Sequence, residues 1–305
     1  MHVLSSRTPD VFTAITNAII AALEQGAGTC TMPWHGGLVA PPFPVNAATG
    51  KAYRGINVIA LWVAAMAERY VSGQWASYRQ WQGLGAQVRK GERGAVIVFY
   101  KSLDRPGLAI PEERDSVEET SFRFVAKATH VFNAEQVEGW QPPLPEAKSP
   151  VAINEEVAAF LEAVGAEVRH GFPMALYRRS GDYIEMPSPG QFIGTATSTP
   201  TEAYHAVLLH ELTHWSGAGH RLNRVFGQRF GDQSYAFEEL VAEFGAAFLC
   251  SAFRLTNEPR PDHAAYIASW LAILRKDSKA VFTAASKAQE AVQFLIALAT
   301  TKTIA

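Results

Sequence analysis

Apolar positions along the chain recur at three-to-four-residue spacing for most of its length and alternate in a few short stretches, so helices with some strands are predicted. Asp10 to Gln25 carries Val11, Ile15, Ile19, Ala22 and Leu23 on one helical face, with Thr8 or Pro9 to start it and Gly26 to end it. Residues 26–50 break the pattern, because Gly36, Gly37, Pro41, Pro42 and Pro44 favour loop. A second helix is predicted over Asn57 to Tyr70, apolar at Ile59, Leu61, Trp62, Ala65 and Met66, and a short one over Ser77 to Leu84. Ala86 to Tyr100 reads as a β-hairpin, with Lys90 to Gly94 as its turn between apolar arms. Residues 104–119 are charged and unpatterned and predict an exposed excursion, after which Phe122 to Phe132 alternates as a returning strand.

Gly139 to Pro150 holds four prolines and predicts a stiff linker. Beyond it come a helix over Ile153 to Gly165, strands over Val168 to Tyr177 and Asp182 to Met186, and a helix over Pro200 to Ser216. Further helices are expected around Tyr235 to Phe248, over Ala264 to Lys276, and over Ser278 to Ala299, where Phe294, Leu295 and Leu298 are core positions. The expected architecture is α+β in two domains, residues 1–138 and 151–305, joined by the linker at 139–150.

The length of 305 residues agrees with two domains, and 48% hydrophobic with 18% charged residues describes folded rather than disordered chain. Cys30 and Cys250 stand alone and far apart, which excludes a disulfide framework and fits a reducing cytoplasm. The first residues lack an apolar signal core, and no apolar run reaches the length of a membrane span, so a soluble cytoplasmic protein with no membrane partner is expected.

A net charge of −2 advertises no nucleic-acid partner, but the distribution does. Lys51 to Lys101 holds eight basic residues (Lys51, Arg54, Arg69, Arg79, Arg89, Lys90, Arg93 and Lys101) against Glu68 and Glu92. Tyr53, Trp62, Tyr70, Trp75, Tyr78, Trp81, Phe99 and Tyr100 interleave with them. Cations that neutralise phosphates beside rings on which bases stack are what single-stranded DNA binding needs. Lys51, Arg54, Arg79, Lys90 and Arg93, with Tyr53, Trp75, Tyr78 and Trp81, are the candidates. Trp62 lies on the apolar helix stripe and is assigned to the core.

The chemistry concentrates in the run from Leu208 to Trp215, which reads H-E-x-x-H from His210 to His214. Two histidines four apart stack on one helical face, from which both can reach one metal ion. Glu211 is then placed to take a proton from a metal-bound water. Thr199 to Glu202 is a capping box with proline in the first helical position, Ala203, Val207, Leu208, Leu212 and Trp215 give the apolar face, and Gly217 is a stop.

A third ligand is needed, and His220 and a group of glutamates offer one. His210 to His220 fits H-E-x-x-H-x-x-G-x-x-H, but that pattern also requires a downstream methionine turn, and no methionine follows His220. Glu239 and Glu243 lie four apart on an otherwise apolar helix, where two carboxylates are costly unless something positive binds them. Glu239 is assigned as the ligand and Glu243 as a carboxylate holding a ligand histidine; Glu243 as ligand stays open, and Glu238 more weakly. Zinc is the expected ion, and two imidazoles with a carboxylate also accept manganese or cobalt.

This arrangement resembles the gluzincin-like metallopeptidases, and the run E-x-x-A-E-x-x-A-A-x-L from Glu239 to Leu249 is similar to the second motif of the ImmA/IrrE-type group, which usually carries asparagine where Glu243 stands. The N-terminal stretch from Pro33-Trp34 through Pro44-Val45-Asn46, Thr49 to Asn57, Trp75, Tyr78 and Gly85 to Glu92 resembles the N-terminal domain of ArdC-type antirestriction proteins, a domain that also occurs in TraC-type plasmid primases. With His210 to Trp215, Arg221-Leu222 and Tyr235 to Glu243, the resemblance covers nearly the whole chain. It implies a single-stranded-DNA-binding domain, to which Asn57 is added as a candidate contact, ahead of a metallopeptidase-like domain. It implies protection of incoming plasmid DNA from host restriction, with peptide hydrolysis as the chemistry an active metal site would perform. Two alternatives stay open: a protease acting on a restriction-system, regulatory or other host protein, and a binding module whose metal is structural.

Overall fold

The computed structural model describes residues 10–26, 42–102, 124–141, 150–194, 198–226, 233–255 and 263–304. The predicted excursion at 104–119 and most of the linker lie outside the described residues.

The N-terminal domain begins with helix α1 (Val11–Gly26), followed by strand β1 (Val45–Asn46) and helix α2 (Ile56–Glu68). Strand β2 (Gln74–Ala76), helix α3 (Tyr78–Gly83) and strands β3 (Gln87–Val88), β4 (Ala95–Ser102), β5 (Phe124–Asn133) and β6 (Val137–Glu138) complete it. One sheet has the order β1-β2-β5-β4, and its longest ladder runs antiparallel from Ala95 opposite Val131 to Ser102 opposite Phe124. Helix α3 starts where Ser77 Oγ accepts from the Gln80 backbone and the Gln80 side chain accepts from the Ser77 backbone, a reciprocal cap that fixes its first turn.

The hairpin expected over Ala86 to Tyr100 does not form. β3 pairs with β6 (Val88 opposite Val137) while β4 pairs with β5, so the two arms enter different sheets. The connection between them is held elsewhere: the Arg89 backbone N–H donates to the Gln136 carbonyl, and the Gln136 side chain donates to Glu92 Oε2 at 3.0 Å and the Arg93 carbonyl at 2.9 Å. The region at 26–50, expected to be loop, contains β1, whose two residues pair parallel to β2.

The second domain opens with helix α4 (Pro150–Val164) and strands β7 (Val168–His170), β8 (Leu176–Arg178) and β9 (Tyr183–Met186). The predicted strand Val168 to Tyr177 is thus two strands, and the sheet order β7-β9-β8 leaves β8 at an edge. Helices α5 (Pro200–Ser216), α6 (Gln233–Ala252), α7 (His263–Lys276) and α8 (Ala280–Ile304) follow. Thr199 caps α5 as predicted: its backbone N–H donates to Glu202 Oε2 at 2.7 Å and its Oγ1 accepts from the Glu202 N–H at 3.2 Å. No helix of the described residues is long and apolar enough to cross a membrane.

One apolar core runs through both domains. Trp62 of α2 packs against Phe43 and against Phe248 of α6, each at 6.0 Å between centroids. Thr16 of α1 donates to the Ser278 carbonyl at 2.6 Å, and the Gly55 N–H at the start of α2 donates to Gln289 of α8 at 3.2 Å. α2 is buried over several faces, including Ile56, Val58, Leu61 and Val63, because β4 lies on one side and helices lie on the other.

Candidate metal centre

α5 and α6 lie side by side with no side chain between them at Gly245: a Cβ there would stand 2.5 Å from Thr213 Cγ2. That approach brings the His210–His214 face of α5 against three glutamates of α6. His210 Nε2 lies 3.2 Å from His214 Nε2, and each is 3.5 Å from an oxygen of Glu239. The three donors fall within 4.8 Å of one another. Two imidazole nitrogens bound to a common tetrahedral zinc at about 2.0–2.1 Å would lie roughly 3.3–3.4 Å apart, so the spacing fits one shared ion.

A carboxylate stands on the far side of each ring. His214 Nδ1 lies 3.2 Å from Glu238 Oε1, and His210 Nδ1 lies 3.1 Å from Glu243 Oε1. Carboxylates at both Nδ1 atoms favour protons there, which turns both Nε2 lone pairs toward each other and toward Glu239. Three converging lone-pair groups repel unless a cation lies among them. Charge says the same: Glu211, Glu238, Glu239 and Glu243 are all buried, with Arg224 against Glu238. A buried charge left unpaired costs several kcal/mol, so a divalent cation is the economical partner. Without an ion a proton takes its place: burial lowers the His214 pKa, but the Glu239 charge and the bonds to Glu238 and Glu239 outweigh it and hold His214 up to about 10. Glu239 is pushed below the usual carboxylate range, since the histidines outweigh its burial.

Glu238 stands on the ring side of His214 rather than among the converging donors, and Glu243 likewise stands on the ring side of His210. Arg224 fastens Glu238, donating to both its oxygens and also to the Thr213 carbonyl and Ser216 Oγ. His220 points elsewhere, exposed and 3.2 Å from Asp182.

Glu211 is held by β8: the Tyr177 backbone N–H donates to its Oε2 at 2.8 Å. β8 is itself tied to the end of α5, where Arg221 covers the Trp215 ring at 3.7 Å, donates to the Trp215 carbonyl, and bonds Asp182 and the Tyr177 hydroxyl. A cavity of about 150 Å3 opens beside His210, Glu211, His214 and Glu239, lined also by Tyr235 and Tyr266. Structural zinc sites are closed by four protein ligands, whereas here a cavity adjoins the three converging donors. Tyr177, Arg224, Tyr235 and Tyr266 were not among the residues anticipated; Arg224 and Tyr177 lie in no motif, and only the fold brings them here.

Comparison with known proteins agrees with this fold. Residues 155–287 match the family model for zincin-like metallopeptidases, and residues 9–132 match that for the N-terminal domain of anti-restriction factor ArdC. The crystal structure of the ArdC antirestriction protein from plasmid R388, in its Mn(II)-bound form, superposes with a TM-score of 0.73 at 37% identity, over 95% of this chain and 98% of that one. The chain belongs to the ArdC family of antirestriction proteins. A second ArdC structure, metal-free, matches equally well at a TM-score of 0.73. The protein y4eC of Sinorhizobium fredii is 46% identical over 299 residues, 95% of this chain and 94% of that protein. The DNA primase TraC of Escherichia coli is 34% identical over 302 residues, which are 93% of this chain but only 27% of the primase.

The ArdC-type N-terminal domain presents the proposed DNA contacts unevenly. Lys51, Arg54, Tyr78, Arg79, Lys90 and Arg93 are exposed. Trp75, Trp81 and Tyr53 are not, at 1%, 0% and 7% exposure, and a ring enclosed on both faces has none left for a base. Trp81 forms a small separate core with Val88 and Val137 and donates its Nε1–H to the Phe132 carbonyl. Asn57 clamps α2 to β4, its side chain donating to the Val98 carbonyl and accepting from the Val98 N–H. These four residues hold the domain together, and the exposed cations with Tyr78 and Phe99 remain as surface candidates.

Proposed function

We propose that this ArdC-family chain binds single-stranded DNA through the exposed cations of its first domain, protects incoming DNA from restriction, and carries a peptidase-type site in its second. The observation that carries the reading is the convergence of His210, His214 and Glu239 beside a cavity on which Glu211 also opens. Zinc fits the two imidazoles and the carboxylate, and manganese or cobalt fits them too. A divalent ion held there supplies Lewis-acid activation of a peptide carbonyl and a water of lowered pKa.

The chain's own residues do the rest. Glu211 accepts the proton of the attacking water and delivers it to the leaving amine. The Tyr177 N–H fixes one Glu211 oxygen, which leaves the other to face the cavity. Glu238 and Glu243 hold the two imidazoles in the tautomer that directs Nε2 inward. The likeness to DNA primases supports nucleic acid as a partner, and a restriction-system or other host protein is the substrate class the peptidase site implies.

The test is protection of transferred DNA by the Glu211→Gln variant, with single-strand binding measured on the same preparation. Lost protection with retained binding is expected. Full protection would make the second domain a scaffold and leave the activity with the DNA-binding surface.

A further inference from the structure

We propose that the cleft beside the metal centre is a subsite for an acidic side chain of an extended peptide, and that Arg179 determines this specificity. The proposal rests on the peptidase reading of the same site.

The cleft, about 700 Å3, lies between β8 with the turn that follows it and the segment 218–226. It adjoins the metal cavity: Leu176, Tyr177, Arg179 and Phe226 line both. Its charged lining is Arg178, Arg179 and Arg224, with no acidic residue among the described ones. Two of these guanidiniums are committed. Arg178 is bonded to Glu185 at 2.7 and 3.0 Å, and Arg224 is bonded to Glu238. Arg179 faces no carboxylate within ion-pair distance among the described residues. Its guanidinium lies over the Phe226 ring at 4.6 Å, and that ring lies 6.2 Å from the His214 imidazole. A guanidinium stacked in this way keeps its in-plane N–H donors free for a carboxylate, which it binds through two parallel bonds.

The backbone supplies the direction. β8 is an edge strand, the Tyr177 N–H points away from β9 to Glu211, and Arg179 opens the turn that follows the strand. A peptide laid along this edge runs from the metal cavity into the cleft, since Leu176, Tyr177, Arg179 and Phe226 line both. An acidic side chain one or two positions from the scissile bond therefore meets Arg179. A nucleic-acid strand fits the cleft less well, because it needs open ring faces and Arg179 covers one face of Phe226.

The test uses full-length Glu211→Gln protein, which binds without turnover, and fluorescent hexapeptides carrying glutamate or glutamine at each position in turn. Glutamate at one position is expected to tighten binding about tenfold over glutamine, the size of a charge-assisted hydrogen bond. Arg179→Gln on the same background is expected to erase that difference, and Arg179→Lys to restore part of it; Arg179 is exposed, and its variants are checked for unchanged melting. No glutamate preference, no peptide binding, or a preference untouched by Arg179→Gln overturns the proposal. So does Arg179-dependent binding of a single-stranded oligonucleotide that excludes the peptides. Hydrolysis of the same peptides by the wild-type chain is read separately. Charge-selective binding without hydrolysis supports the subsite and overturns the peptidase reading, whereas hydrolysis without charge selection does the reverse.

Discussion

Arg224 donates to both oxygens of Glu238, and Glu238 in turn lies 3.2 Å from the Nδ1 of His214. The guanidinium therefore orients a metal-site imidazole through an intermediate carboxylate. Arg224→Met leaves Glu238 buried without its cation, and should cost about 3 kcal/mol or more in a urea unfolding experiment. It should also weaken metal binding by about 10–100-fold in a chelator competition. Arg224→Lys should not rescue, because one ammonium cannot reach Glu238, Ser216 and the Thr213 carbonyl together. Unchanged metal affinity in Arg224→Met would refute the orienting role.

Gly245 and Thr213 set the spacing between α5 and α6. Gly245→Ala should destabilise by about 1–3 kcal/mol through overpacking and loosen the metal site, since Glu239 rides on the same helix. Thr213→Ala in the same chain removes the clashing atoms and should recover part of both losses. A double variant no better than Gly245→Ala would show that this contact does not set the spacing.

Metal binding should expel protons. In the metal-free chain His214 is held up to about 10, above its ordinary 6.5, so it is protonated at neutral pH. The stability it lends the metal-free fold is fully present below about 6.5 and is lost as pH rises through about 10. Calorimetric metal titration near pH 7 in buffers of different ionisation enthalpy should report release of about one proton, with affinity rising as pH rises. Buffer-independent heats would contradict this.

Asp182 gives the opposite sign. The hydrogen bond from Arg221 is the chief cause that lowers its pKa from 3.8 to about 2. Its contribution is present above about 4 and is lost as pH falls toward about 2. Asp182 also sits at a φ of +55°, which asparagine tolerates, so Asp182→Asn isolates the charge. The expected loss is about 1 kcal/mol or less at pH 7, because the carboxylate is 40% exposed and screened. The variant's stability should fall less than the wild type's between pH 4 and pH 2.

For DNA, removing Lys51, Arg54, Arg79, Lys90 or Arg93 should weaken single-strand binding at every sequence and lower the salt slope by about one phosphate contact each. Trp75→Ala should instead lower the melting temperature by leaving a core cavity. Selective loss of binding in a stably folded Trp75→Ala protein would return that ring to the DNA surface.

The metal helix was legible because its signals are local. The cap at Thr199, proline at Pro200 and Gly217 after Ser216 lie within or beside the helix they delimit, and the Glu239–Glu243 spacing needs only the helical period. The hairpin was not legible, because the strand that competes for Val88 is Val137, far along the chain. Composition also misplaced Trp75 and Trp81: their interleaving with basic residues suggested a surface, while the pairing of β2 with β5 and the capped turn of α3 direct both rings inward. The bond from Tyr177 to Glu211 joins a strand to a helix through a backbone atom, which no side-chain pattern encodes.

Trp62 and Phe248 share one core, so each domain stabilises the other. A fragment holding either domain alone would leave that apolar surface bare. The match to a primase several times its length accordingly spans 93% of this chain, both halves together.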